Sequence, residues 1–207
     1  MTVNCEEVKC TPNYSEKLEL FLESKNMWHR FIEFGEPVRT VEQAARKVRV
    51  EKIAKSIVMV DSNGDSLLAI VPAQSKVSHK KIKIVLAVKD VRLASPEEVL
   101  KHSGYPAGGV SPFNNISRVL LDPQVLKNET AIVGGGDIHK LIEVRTEDIV
   151  NTLKPRIEDI TQALFMEGTS KSADAADLPS NTHRLAPNEV GVREESEEKL
   201  RRTQSET

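Results

Sequence analysis

The spacing of apolar residues changes repeatedly along the chain, and each change marks an element. In Ser15–Lys25, Leu18, Phe21 and Leu22 share one helical face, with Ser15 placed as an N-cap. WHRFIEF then alternates as a half-buried strand does. TVEQAARKV predicts a helix, because Thr40 precedes Gln43 at capping-box spacing. The apolar runs Ile57–Val60 and Leu67–Val71 flank Asn63–Gly64, a strong hairpin signal. SHKKIKIVLA fits helix or strand, with Ser78 and Leu86 favouring the helix. SPEEVLKHSG has a serine cap, a proline at the first helical position, two early glutamates and a closing Gly104, the marks of a short helix. SRVLLD, TAIVG and KLIEV predict three strands. RTEDIVNTL, capped by Thr146, and PRIEDITQALF predict two helices.

This order predicts one α/β domain over residues 15–166, with a sheet at least partly antiparallel. Residues 1–14 read as an irregular leader. After Met166 the apolar positions thin out among Ser, Thr, Asp, Glu, Lys, Arg and Asn. Such a segment buries too little apolar surface to offset its ordering entropy, so residues 167–207 predict a polar, disordered tail with a helical turn in REESEEKLRR.

Composition excludes some functions. The 207 residues are 39% hydrophobic and 29% charged, with net charge −2, so the chain lacks the basic excess of a general polyanion binder. Arg46, Lys47, Arg49, Lys52, Lys76, Lys80, Lys81 and Lys83 form a local basic cluster, either a solvated face or a nucleic-acid-facing one. No apolar run has the length of a membrane helix, and MTVNCEEVKC lacks a signal peptide's apolar stretch. A cytoplasmic protein with no membrane partner is expected. Cys5 and Cys10 lack a second ligand pair, and His29, His79, His102 and His183 have no metal-site spacing, so no metal is expected.

Three features could carry chemistry. Lys55 sits at the start of an apolar strand, where it either snorkels to water or aims a charge into a pocket, to hold a phosphate or an oxyanion. HSGYPAGGVSPF places Gly104, Gly108 and Gly109 between stiffening prolines, and reads as a plain connection or as an anion-binding nest of backbone amides. It matches neither the Walker A pattern nor G-x-G-x-x-G. Gly134, Gly135 and Gly136, followed by Asp137 and His139, form either a flexible turn or a bare-backbone pocket edge with one titratable ring. The chain has no G-x-S-x-G, no H-E-x-x-H and no cysteine–histidine pair in a nucleophile's context.

Taken together, IAKSIVM, LLAIVP, VRLASPEEVLKHSGYPAGGVSPF and TAIVGGGDIHKLIEVRTEDIV resemble the YbaK/EbsC family, free-standing relatives of the editing domain inserted in bacterial prolyl-tRNA synthetases. The resemblance spans roughly residues 15–155, and GYPAGGVSPF is its most diagnostic stretch. It implies a mixed, curved, barrel-like sheet surrounded by helices. It also implies a trans-acting aminoacyl-tRNA deacylase that hydrolyses mischarged tRNA, most often Cys- or Ala-tRNA for proline, without cofactor, metal or covalent enzyme intermediate. Lys55 matches the family's functional lysine. Gly104, Gly108, Gly109 and Pro112 match the first glycine loop, and Gly134, Gly135 and Gly136 the second. Tyr105 fits the loop pattern, and His139 stands near a histidine found in some members. Asn114 replaces a glycine common in relatives, and the polar tail has no counterpart in compact ones. Two other functions fit the same residues: a non-catalytic tRNA- or nucleotide-binding module tethered to a synthetase, and a regulatory protein that kept the fold and lost the activity.

Overall fold

The computed structural model describes residues 13–38 and 40–162. Cys5, Cys10, the leader up to residue 12, the polar tail and its helical turn lie outside the described residues. The elements run α1 (Tyr14–Ser24), β1 (His29–Glu33), α2 (Val41–Ala45), β2 (Ala54–Asp61), β3 (Ser66–Pro72), β4 (Lys76–Val77), α3 (His79–Leu86), β5 (Val91–Leu93), α4 (Pro96–Ser103), β6 (Val119–Leu121), β7 (Thr130–Gly134), β8 (Lys140–Arg145), α5 (Thr146–Leu153), β9 (Arg156–Ile157) and β10 (Thr161–Gln162). Short 3-10 turns at Val50–Lys52 and Pro123–Lys127 complete the set.

The main sheet is mixed, in the order β5-β2-β3-β6-β9. β2 and β3 form the expected antiparallel hairpin, whose turn places Gly64 at φ +86°. β6 pairs with β3 in parallel, and so does β9 with β6. A second, antiparallel ladder runs β1-β8-β7. The expected barrel closure is not formed. The main sheet stops at β5 and β9, and the ladders are joined by one parallel bridge, Ile53 to Ile132.

β2 and β3 are buried on both faces, which explains their continuous apolar runs. Ala54, Val58, Leu68 and Ile70 face one core with Val110, Phe113, Val133 and Leu18. Ile57, Met59, Leu67, Ala69 and Val71 face another with Ile82 of α3. Among the described residues no helix is long and apolar enough to cross a membrane.

Most helix ends form as their sequences predict. Thr40 and Gln43 make a reciprocal capping box on α2, Ser95 and Glu98 another on α4, and Ser78 caps α3. Two caps differ. Asn13, not Ser15, accepts from the Glu16 amide at the start of α1. The Ser15 hydroxyl instead donates to Gly135 O at 2.8 Å, so it is bound across the fold. Thr146 is the first residue of α5, following the N-cap position at Arg145; its hydroxyl donates to Asn128 O at 2.9 Å.

PRIEDITQALF is not helical where it is described. Lys154 ends α5 in the left-handed region at φ +45°, and Pro155 cannot continue the helix. The chain is then drawn into strand pairing. Arg156–Ile157 adds to β6, Ile160 is fully buried against α3, and Thr161–Gln162 pairs with β4. Asp122, itself fully buried, accepts from the Ile160 amide at 3.2 Å.

Candidate active site

Lys55 is the second residue of β2 and is half-buried. Its ammonium donates to Ser75 O at 2.9 Å, which among the described residues leaves two of its three N–H donors uncommitted. Burial, and then the nearby Lys76 ammonium, hold the Lys55 pKa below the ordinary lysine value.

Beside it lies a cavity of about 490 Å³. One wall is Lys55, Ser56 and Ile57. A second is Val41 and Ala44 of α2, and a third is Ala107, Gly108 and Val110 together with Gly134 and Ile138. The opening follows from strand geometry. Ladder bonding alternates edges along an antiparallel strand. Ile53 O accepts from Ala73 on the β3 side, while Val58 O accepts from Ala94 on the opposite side. The main-chain groups of Ser56 therefore point away from β3, towards an edge that β5 does not reach because its pairing covers only Met59–Asp61. The Ser56 hydroxyl is shut off from solvent and has no hydrogen-bond partner among the described residues.

The first glycine loop makes a turn in which the Gly109 amide donates to Pro106 O at 3.0 Å. Gly108 has φ +92°, the conformation of the third position in a type II turn. Such a turn leaves its two central amides unused. Among the described residues the Ala107 and Gly108 amides have no protein acceptor, and both residues line the cavity.

The remaining glycines pack backbone against backbone. A Cβ on Gly109 would stand 2.8 Å from the Asp137 amide nitrogen, and one on Gly134 would overlap Val110 O. The Gly136 amide donates to Gly109 O at 3.0 Å, and Gly135 O receives the Ser15 hydroxyl. The two glycine loops thus form one seam, pinned from below by α1.

The structure does not bring all the sequence-singled residues together. Lys55, Gly108 and Gly134 line the cavity, while Gly109, Gly135 and Gly136 support its wall from within. Gly104 ends α4 at φ +76° and lines a different cavity with Tyr14, Phe21 and Phe113. Tyr105 faces that same cavity; its phenol donates to Phe113 O at 3.1 Å, and burial raises its pKa. Pro112 is buried within the loop. His139 is tied through its main chain, its amide donating to Asp137 Oδ1 at 2.7 Å. The neighbouring Ile138, not His139, lines the cavity.

Sequence reasoning missed Ser56, Val41 and Ala44. Ser56 was visible as the one polar interruption after Lys55 in an apolar run, and the α2 capping box fixes where Val41 and Ala44 project. Half of the basic cluster is committed internally: Lys81 to Asp159 at 2.7 Å, Lys83 to Asp90 at 3.6 Å, Lys52 to Glu143 at 3.1 Å, and Lys47 to Glu33 O at 2.7 Å. Among the described residues no group of three or more His, Cys, Asp or Glu side chains could hold a metal ion.

Residues 35–152 match the family model described as the aminoacyl-tRNA editing domain. The chain belongs to this family. The editing-domain match runs from just after β1 into α5 and so contains Lys55, both glycine loops and the whole cavity. An uncharacterized protein of Bacillus subtilis, YwhH, is 33% identical over 130 residues, 59% of this chain and 82% of its own length. The proline–tRNA ligase of Thermotoga neapolitana is 32% identical over 100 residues, 47% of this chain but only 17% of the ligase. Among solved structures, hypothetical protein APE2540 superposes with TM-score 0.64 at 26% identity, over 70% of this chain and 99% of its own. A protein described as a candidate trans-editing enzyme for prolyl tRNA synthetase shares the fold, with TM-score 0.65 at 23% identity over 73% of this chain and 98% of its own.

Proposed function

We propose that this editing domain is a trans-acting aminoacyl-tRNA deacylase. It hydrolyses the ester of a mischarged tRNA, with Cys- or Ala-tRNA for proline as the substrates to test first. The carrying observation is the pairing of two unlike groups on one cavity: a lysine with two uncommitted N–H donors, and a turn whose central amides have no protein acceptor. The likeness to part of a proline–tRNA ligase supports the choice of tRNA.

In this reading the Lys55 ammonium holds a phosphate of the terminal nucleotide. The Ala107 and Gly108 amides donate to the carbonyl oxygen of the ester as it gains charge in the tetrahedral transition state. Preorganised donors of this kind supply a few kcal/mol. An aminoacyl ester is already activated, so positioning and carbonyl polarisation suffice, and water or a group of the substrate itself attacks. The apolar wall from Val41, Ala44, Ile57 and Ile138 encloses the amino-acid side chain.

The test is release of amino acid from Cys-tRNA and Ala-tRNA for proline by the wild type and Lys55→Ala. The wild type is expected to deacylate at least one, and the variant to lose at least a hundredfold in kcat/KM with an unchanged far-UV spectrum. Retention of tRNA on a gel with both esters intact would instead establish a binding module.

A further inference from the structure

A larger groove, of about 780 Å³, lies next to this cavity. The two spaces adjoin. Val41 lines both, and Ser75, whose carbonyl receives the Lys55 ammonium, lines the groove. Lys55 therefore stands at the threshold between them, and the ester chemistry proposed above makes no use of the second space.

The lining of the groove is selective. Its lining includes the apolar Val41, Val50 and Ala73. Its sides carry Gln74 and Gln124, both exposed, whose side-chain amides have no protein partner among the described residues. Glu42 and Asp159 add two carboxylates. The Glu42 pKa is lowered by its own backbone amide and the Thr40 hydroxyl, and that of Asp159 by Lys81, so both are ionised at neutral pH. The one cation in the lining among the described residues, Lys81, is held by Asp159 Oδ1 and Thr161 O, each at 2.7 Å. Such a groove repels a phosphate from its interior. It suits a flat apolar body with amine donors at its edge, and nucleobases have that chemistry: carboxylates accept from cytosine N4, and glutamine pairs with adenine. Anionic linkages would lie outside, where Arg49 and Lys76, next in sequence to Val50 and Ser75, are exposed and have no ion-pair partner among the described residues. Lys76 is close enough to Lys55 to depress its pKa, which places a second charge at the threshold.

We propose that this groove seats the one or two nucleotides preceding the esterified one in the single-stranded 3′ end of the substrate. Their bases enter the groove, and the last linking phosphate rests at the threshold on Lys55 and Lys76. The proposal rests on the aminoacyl-ester reading of the cavity and adds a subsite to it.

The experiment compares two esters of the same amino acid, one on adenosine alone and one on the trinucleotide CCA. For the wild type, kcat/KM on the trinucleotide ester is expected to exceed that on the nucleoside ester by at least tenfold. The double variant Gln74→Ala/Gln124→Ala is expected to shrink that ratio about tenfold, through KM. The nucleoside ester reports any general damage to the fold. Equal kcat/KM on the two wild-type substrates, or a ratio the double variant leaves unchanged, overturns the groove assignment while leaving ester hydrolysis standing. If the wild type hydrolyses neither ester, the deacylase reading falls, and fluorescence polarisation of labelled, unesterified CCA decides the groove. Binding weakened about tenfold by the double variant supports it, whereas absent or unaffected binding overturns it.

Discussion

Lys55 owes its altered acidity to where β2 begins. Burial and then Lys76 disfavour its charged form, so its folded pKa lies below that of the unfolded chain. For a lysine this sign means that the charged, half-buried group costs stability at neutral pH. The cost is relieved as pH rises from the folded value through the unfolded one. A titration followed by the Lys55 Cε chemical shift is expected to have its midpoint below the ordinary lysine value of about 10.4. Lys76→Met is expected to move that midpoint upward but not fully back, because burial, the larger cause, remains. An unmoved midpoint would remove Lys76 from the site. Ser56 makes the complementary case. Its hydroxyl is buried without a partner among the described residues, so Ser56→Ala removes an unmet polar group and is expected to stabilise by about 1 kcal/mol. That corresponds to a Tm rise of about 2–4 °C for a domain of this size. A drop in Tm would mean the hydroxyl has a partner in solution.

At the scale of elements, the two glycine loops behave as one part. Gly109→Ala would press a Cβ onto the Asp137 main chain, which has no flexible end to move aside. A loss of about 1–3 kcal/mol is expected, read by urea unfolding, with deacylation reduced even in the folded fraction because the Ala107–Gly108 turn shifts with it. Gly35→Ala is the control, since nothing lies within 4 Å of its Cβ position. These loops were visible in the sequence as composition, but their purpose was not. A glycine run reads equally as a ligand-facing nest or as close packing, and only the partner's position decides. Here the partner of Gly109 is some thirty residues away in sequence, at Asp137. Local rules did well where the answer was local: the Thr40–Gln43 capping box, the Ser95 cap, the Asn63–Gly64 hairpin and the end of α4 formed as their residues dictate. They failed at PRIEDITQALF. Its helical spacing was overridden by distant partners, β6, β4 and the Asp122 carboxylate. Tyr105 and His139 came to the site through the family resemblance; Tyr105 lines the neighbouring cavity, and His139 is not among the residues lining the Lys55 cavity.

For the whole molecule, the second ladder is held by a charge network. Glu143 of β8 is buried at 4% exposure and accepts from Thr130 Oγ1 at 2.7 Å, from Lys52 Nζ at 3.1 Å and from Arg30. Burial alone would raise its pKa, but these three donors outweigh it and hold the carboxyl below the ordinary glutamate value. The stabilisation is therefore present above the unfolded value, near 4.3, and is lost as pH falls through the folded one. Glu143→Gln is expected to cost about 1–2 kcal/mol at pH 7, less than a fully buried pair would, because Arg30 and Lys52 are themselves partly exposed and can turn to water. The Tm gap between wild type and variant should close as the pH is lowered through the glutamate range. A gap independent of pH would mean that the network acts by shape alone.

The seam between the glycine loops also bears on how this fold diversifies. One side of the cavity is main chain resting on main chain, and almost any side chain added there pries it apart. The facing side is instead lined by side chains, Val41, Ala44 and Ile57, so a substitution there reshapes the cavity without touching the seam. On the proposed function, lineages descended from such an ancestor would drift apart in the residues they discriminate while the main-chain cradle stayed the same. On that reading, duplicated copies divide a set of mistaken amino acids among themselves without reinventing the chemistry.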